Sequence, residues 1–171
     1  MKKPSICRLA WFALIFPLIS ACGGGDDSGA AIDPATVGAN SAAKQSSFIS
    51  DYSDGLKTLS NYAGLTSAAF LDLFDGSFVD GGLTKAMVSA NLAQEAAAAV
   101  AVSPDLPTFP LATLSGATIG GCDSSNVCTL SGTLSNNDVD ASAANTTSVA
   151  FTTRVKYSDG KFRLLGDGAA S

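Results

Sequence analysis

Hydrophobic positions follow three rhythms along the chain. An unbroken apolar run occupies residues 9–19, a spacing near 3.6 follows from residue 44 to about 100, and strict alternation takes over beyond the prolines at 104, 107 and 110. Phe48, Tyr52, Leu56, Leu59 and Tyr62 recur at steps of four, four, three and three, which predicts a helix over about residues 44–62 in spite of Gly55. Thr66 is a candidate N-cap for a second helix reaching Phe74. Thr84 is one for a third, on which Val88, Leu92, Ala96 and Val100 repeat every four residues. The alanine run at 96–99 makes a narrow ridge able to approach a sheet closely.

In the last third, Val149, Phe151, Thr153, Val155 and Tyr157 fall on one side of an extended chain, and Ala150, Thr152, Arg154 and Lys156 on the other. Asp159-Gly160 is a two-residue hairpin turn into a strand from Phe162 to Gly166, and residues 111–119 and 127–135 form an earlier hairpin. The expected fold class is α+β, with about three N-terminal helices packed on a curved antiparallel sheet of about four strands.

The apolar run at 9–19 is too short to cross a hydrocarbon core of ~30 Å as a helix, and Lys2, Lys3 and Arg8 precede it, so residues 1–21 read as an export signal. Leu18-Ile19-Ser20-Ala21-Cys22 follows directly and resembles the lipobox of bacterial lipoproteins. That resemblance implies diacylglycerol on the Cys22 thiol, cleavage before it, and an anchor of two or more acyl chains, which is stable where one chain binds only marginally. An ordinary export signal cut after Ala21 is the alternative. Gly23, in the place where Asp favours inner-membrane retention in that family, implies the outer membrane, facing the periplasm. Residues 23–43 contain only Ile32 and Val37 as large aliphatics, too little apolar surface to order a segment, so residues 22–43 are expected to be the lipidated cysteine and a flexible tether. Its mean span is about 25 Å. The remaining residues, 44–171, make one domain.

Removal of the signal leaves seven basic against 15 acidic side chains, a net charge of −8. Nucleic-acid partners and direct docking on anionic lipid are thereby disfavoured, and contact with a membrane is left to the lipid anchor. The chain has no histidine, which excludes Ser-His-Asp and Cys-His nucleophiles and every histidine-ligated metal site. Cys122 and Cys128 flank the tip of the earlier hairpin and, in an exported protein, are expected to form a structural disulfide rather than a redox pair. No cofactor is implied.

Ser41-x-x-Lys44 matches the Ser-x-x-Lys signature of penicillin-interacting enzymes, but Ser158-x-x-Lys161 repeats it inside a hairpin turn, and the Ser-Asp-Asn and Lys-Thr-Gly partners are missing. Asp72, Asp75 and Asp80, and Asn136, Asn137, Asp138 and Asp140, crowd two turns without the spacing of a calcium loop. Glu95 is expected to be solvated on its helix. Tyr52, Tyr62, Phe70, Phe74, Phe151, Tyr157 and Phe162 are candidate pocket lining, with the tyrosine hydroxyls as orienting groups, and otherwise plain core.

Helices followed by a meander, ending in Val155-Lys156-Tyr157-Ser158-Asp159-Gly160-Lys161-Phe162-Arg163-Leu164-Leu165-Gly166, is similar to the nuclear transport factor 2-like superfamily. The resemblance implies a cone-shaped α+β fold with an open pocket. Its members include dehydratases, isomerases and binding modules, and its enzymes commonly place His, Asp or Tyr in the pocket. The expected function is a membrane-anchored envelope lipoprotein acting as a non-catalytic module for a small apolar ligand or an envelope protein. The alternative is a small lyase, isomerase or hydrolase using an Asp-Tyr pair in the cone. A homodimer through the outer sheet face of Ala150, Thr152 and Arg154 is a third expectation.

Overall fold

The computed structural model describes residues 34–59, 62–102, 110, 112–137 and 146–168. The expected signal, Cys22 and residues 23–33 of the expected tether lie outside them.

The elements are α1 (Pro34–Ala39), α2 (Ala42–Thr58), α3 (Tyr62–Leu65), α4 (Ala68–Asp72), β1 (Val79–Asp80), β2 (Leu83–Thr84), α5 (Lys85–Val102), β3 (Ala112–Cys122), β4 (Val127–Asn136), β5 (Thr147–Ser158) and β6 (Lys161–Leu164). Helices therefore come first and a four-stranded antiparallel meander in the order β3-β4-β5-β6 comes last. The apolar stripe of α2 is the one its spacing predicts: Phe48, Tyr52 and Leu56 are buried, and Leu59 follows at its C-cap. The stripe packs against β3 and β6. On β5 the alternation holds residue by residue, with Phe151, Thr153, Val155 and Tyr157 buried and Ala150 and Thr152 exposed. The β5–β6 turn has positive φ at Asp159 (52°) and Gly160 (80°), the backbone that a tight hairpin requires and that these two residue types tolerate.

Aromatic rings stitch the layers together. Phe151, Tyr52, Phe48, Phe162 and Tyr157 form a chain with successive ring centroids 6.4, 6.2, 6.0 and 5.0 Å apart, running from the sheet through α2 and back to the sheet. Phe70, Phe74 and Phe78 form a second chain, edge to face at 5.3 and 4.9 Å. Such pairs contribute about 0.5–1.5 kcal/mol each beyond burial itself.

The free edge of β6 is covered. Leu164 bridges Phe74 in parallel: its N–H donates to the Leu73 carbonyl (2.7 Å) and its carbonyl accepts from the Asp75 N–H (2.8 Å). The Val79 N–H then donates to the Leu165 carbonyl (3.1 Å), and the Gly168 N–H to the Val79 carbonyl (2.9 Å). An unpaired row of backbone groups, open to pairing with another chain, is removed by this segment.

Four expectations are corrected. The ordered chain begins before residue 44: Pro34–Ala39 is helical and Ala39 is fully buried, so the stretch read as tether contributes α1 and the start of α2. The second predicted helix is shorter, α4, and is entered from Ser67 rather than Thr66. The Thr84 cap is present, its Oγ1 accepting the Met87 N–H at 3.3 Å, but the main neighbours of α5 are α3, α4 and β2 rather than the large sheet. Glu95 is half-buried, and burial pushes its carboxyl above the usual range.

Candidate functional site

A cleft of about 460 Å³ opens between one side of α2, the α4 segment and the β5–β6 turn. Helical spacing explains the α2 wall: Lys44, Ser47, Asp51, Asp54 and Thr58 follow steps of three and four, a polar stripe beside the core stripe. Phe48, Phe70, Leu73 and Phe162 supply the apolar floor. Gly55 sets the approach of the two helical walls, since a Cβ there would lie 2.7 Å from Phe70 Cδ2 and 3.3 Å from Leu73 Cδ1. A glycine inside a helix costs about 0.5–1 kcal/mol, and here it lets α4 seat against α2.

The charges of the cleft are partly committed. Asp72 accepts from Lys161 Nζ across the mouth, and this hydrogen bond holds its carboxyl below the usual range. Asp54 pairs with Lys57 at 2.8 Å on the helix surface. Lys44 and Asp51 are exposed, and among the described residues neither enters an ion pair.

Of the seven residues expected to line a pocket, Phe70 and Phe162 do line this cleft. Tyr52, Phe74, Phe151 and Tyr157 are buried in the aromatic chains, and the Tyr62 side chain lies outside the described part of the structure. Burial, with a smaller contribution from Asp80, pushes the Tyr52 hydroxyl far above its ordinary range. Asp80 is itself raised, chiefly by burial and further by Asp167, while its Oδ1 accepts the Asp167 N–H at 3.3 Å. Burial is thus the main cause of both upward shifts. Neither residue lines the cleft.

The remaining candidates take structural roles. Cys122 and Cys128 are directly paired across β3 and β4 and joined by a disulfide. Ser41 precedes α2, its N–H donating to the Gly38 carbonyl (3.1 Å) and its carbonyl accepting the Gln45 N–H (3.0 Å). Asp75 closes a turn, its Oδ1 accepting from the Ser77 N–H (2.9 Å) and hydroxyl (2.6 Å). Asn137 bridges the Pro110 carbonyl (2.8 Å) and the Thr146 hydroxyl (2.9 Å); Asp138 and Asp140 lie outside the described residues. Among the described residues no three His, Cys, Asp or Glu side chains are close enough to share a metal ion, and no helix is long and apolar enough to cross a membrane. On the outer sheet face Ala150 and Thr152 are exposed, whereas Arg154 folds back so that its Nε donates to the Gly166 carbonyl at 2.8 Å.

The cleft residues of α2 were missed by sequence reasoning because they are ordinary surface types. Their three-and-four spacing next to Phe48 is the one signal that marks them. No family model matches the sequence, and no curated protein matches it. Among solved structures, the chain is similar to one from Xanthomonas campestris described as a calcium/calmodulin dependent protein kinase II association domain, at 9% identity over 71% of this chain and 77% of that one, with a TM-score of 0.41.

Proposed function

We propose that this chain is an exported lipoprotein, held through acylated Cys22 on the periplasmic side of the outer membrane, whose α+β domain is a non-catalytic binding module. The lipobox residues support the anchor. The observation that carries the binding reading is the cleft itself, an apolar floor of four side chains under a polar rim, within the volume range of small-molecule sites. The rim carboxylate Asp72 is tied up by Lys161 rather than joined to a second acid or base. Two measurements test the two halves. A fatty-acid probe fed to expressing cells labels the parent and leaves a Cys22→Ala variant dark; equal labelling overturns the anchor. Small aromatic compounds raise the melting temperature of the full chain and fail to do so once Ser47→Trp fills the cleft from its exposed rim; ligands unaffected by that variant, or none at all, overturn the binding site.

The catalytic alternative rests on Tyr52 and Asp80. Tyr52 is buried within an aromatic chain and neither residue lines the cleft, so the geometry favours packing over turnover.

A further inference from the structure

We infer that the cleft takes a short peptide of about three residues with both ends free, its amino group at Asp51 and its carboxylate at Lys44; this rests on the binding reading given above. Lys44 and Asp51 are seven residues apart on α2, two turns, so they occupy the same side of the helix about 10 Å apart along its axis. They are the two rim charges without an ion-pair partner among the described residues, and they are opposite in sign. Phe48 lies between them on the helix and forms part of the floor, with Phe162 facing it at a ring separation of 6.0 Å. An extended chain advances roughly 3.3–3.6 Å per residue, so three residues span about 10 Å and place a central side chain over that floor. The two ends of a single amino acid lie too close together to reach both charges.

The field of the helix fixes the direction. Lys44 stands in the first turn of α2, where the unpaired backbone N–H groups carry the positive end of the helix dipole and favour a carboxylate. Asp51 makes the other end acidic and suited to an ammonium, since Asp54, one turn further along the same wall, is committed to Lys57. The wall opposite is electrically closed by the Asp72–Lys161 pair, so the gradient along α2 is the one the ligand meets.

The test is calorimetric titration of the purified full chain, in phospholipid nanodiscs, with the tripeptide Ala-Phe-Ala in four forms: free, N-acetylated, C-amidated and capped at both ends. The inference expects the free peptide to bind, and each cap to weaken binding about tenfold or more, as loss of a hydrogen bond to a charged group does. Asp51→Asn should weaken the free peptide and leave the acetylated one unchanged, and Lys44→Met should do the same for the free and amidated forms. Both positions are exposed, so neither change disturbs the core. Equal binding of the free and doubly capped peptides overturns the inference and leaves the binding module standing. Failure of all four forms, together with failure of the small aromatic compounds to stabilise the chain, overturns both.

Discussion

Gly38 lies directly against the Tyr157 ring: a Cβ on this residue would stand 2.5 Å from both Cε1 and Oη of the tyrosine. The six-residue helix Pro34–Ala39 is thereby locked onto the longest strand of the sheet. Glycine to alanine in a helix ordinarily stabilises by up to about 1 kcal/mol. Here the sign should reverse, because Tyr157 is buried and stacked edge to face on Phe162, so its ring has no room to yield. Gly38→Ala is expected to cost about 1–3 kcal/mol in urea unfolding of the full chain. A variant as stable as the parent would show that α1 does not dock in solution.

The disulfide closes a loop of seven residues, for which chain entropy gives about 2 kcal/mol. The turn inside that loop is also held without it: Asp123 Oδ1 accepts the N–H groups of Ser125 (2.8 Å) and Val127 (2.9 Å). Replacing both cysteines by alanine should therefore lower stability by about 2 kcal/mol while leaving the far-ultraviolet circular dichroism unchanged. Loss of the β signal would mean that the covalent link, not the turn, sets the β3–β4 register.

What could be read from sequence was whatever depends on neighbours in the chain. The stripe from Phe48 to Leu59 and the alternation from Val149 to Tyr157 are local patterns, and apart from half-buried Val149 the apolar residues they mark are buried. The missed elements are defined by distant partners. Pro34–Ala39 has no apolar face of its own and is placed by Tyr157, more than a hundred residues on. The β1–β2 hairpin has strands of two residues, too short to alternate, although its Gly81-Gly82 turn was a usable signal. The alanine face of α5 fits helices as well as strands, so spacing alone does not choose its neighbours. Each wall of the cleft was visible as a helix or a turn; that α2, α4 and Gly160–Phe162 converge was not.

Two carboxylates should give the acid stability profile opposite slopes. Asp75 is held below its usual range, first by the Ser77 hydroxyl, so its contribution is present above the ordinary carboxylate range and disappears as the pH falls through its folded-state value. Asp80 is raised, first by burial, so its contribution is present when protonated and is lost as the pH rises through its folded-state value. Asp75→Asn is expected to be destabilised near pH 7 and to converge with the parent near about pH 2. Asp80→Asn, which keeps an oxygen for the Asp167 N–H, should gain near pH 7 and converge on acidification. Denaturation midpoints across this range check both, and parallel curves for parent and variants would contradict the linkage.

Among the described residues Thr153 is the one buried polar side chain, 4% exposed on the inner face of β5, and its Oγ1 has no hydrogen-bond partner there. Its neighbour across the ladder is Leu130, which is fully buried. Leaving a hydroxyl unsatisfied in such surroundings costs roughly 1–3 kcal/mol. Valine has nearly the same shape, the same branching at Cβ and a high preference for strands, so Thr153→Val removes the cost and keeps the packing. The variant should be more stable than the parent by about 1 kcal/mol, read as a higher urea midpoint at unchanged slope. A fall in the midpoint would contradict the reading that the buried Thr153 hydroxyl is unsatisfied.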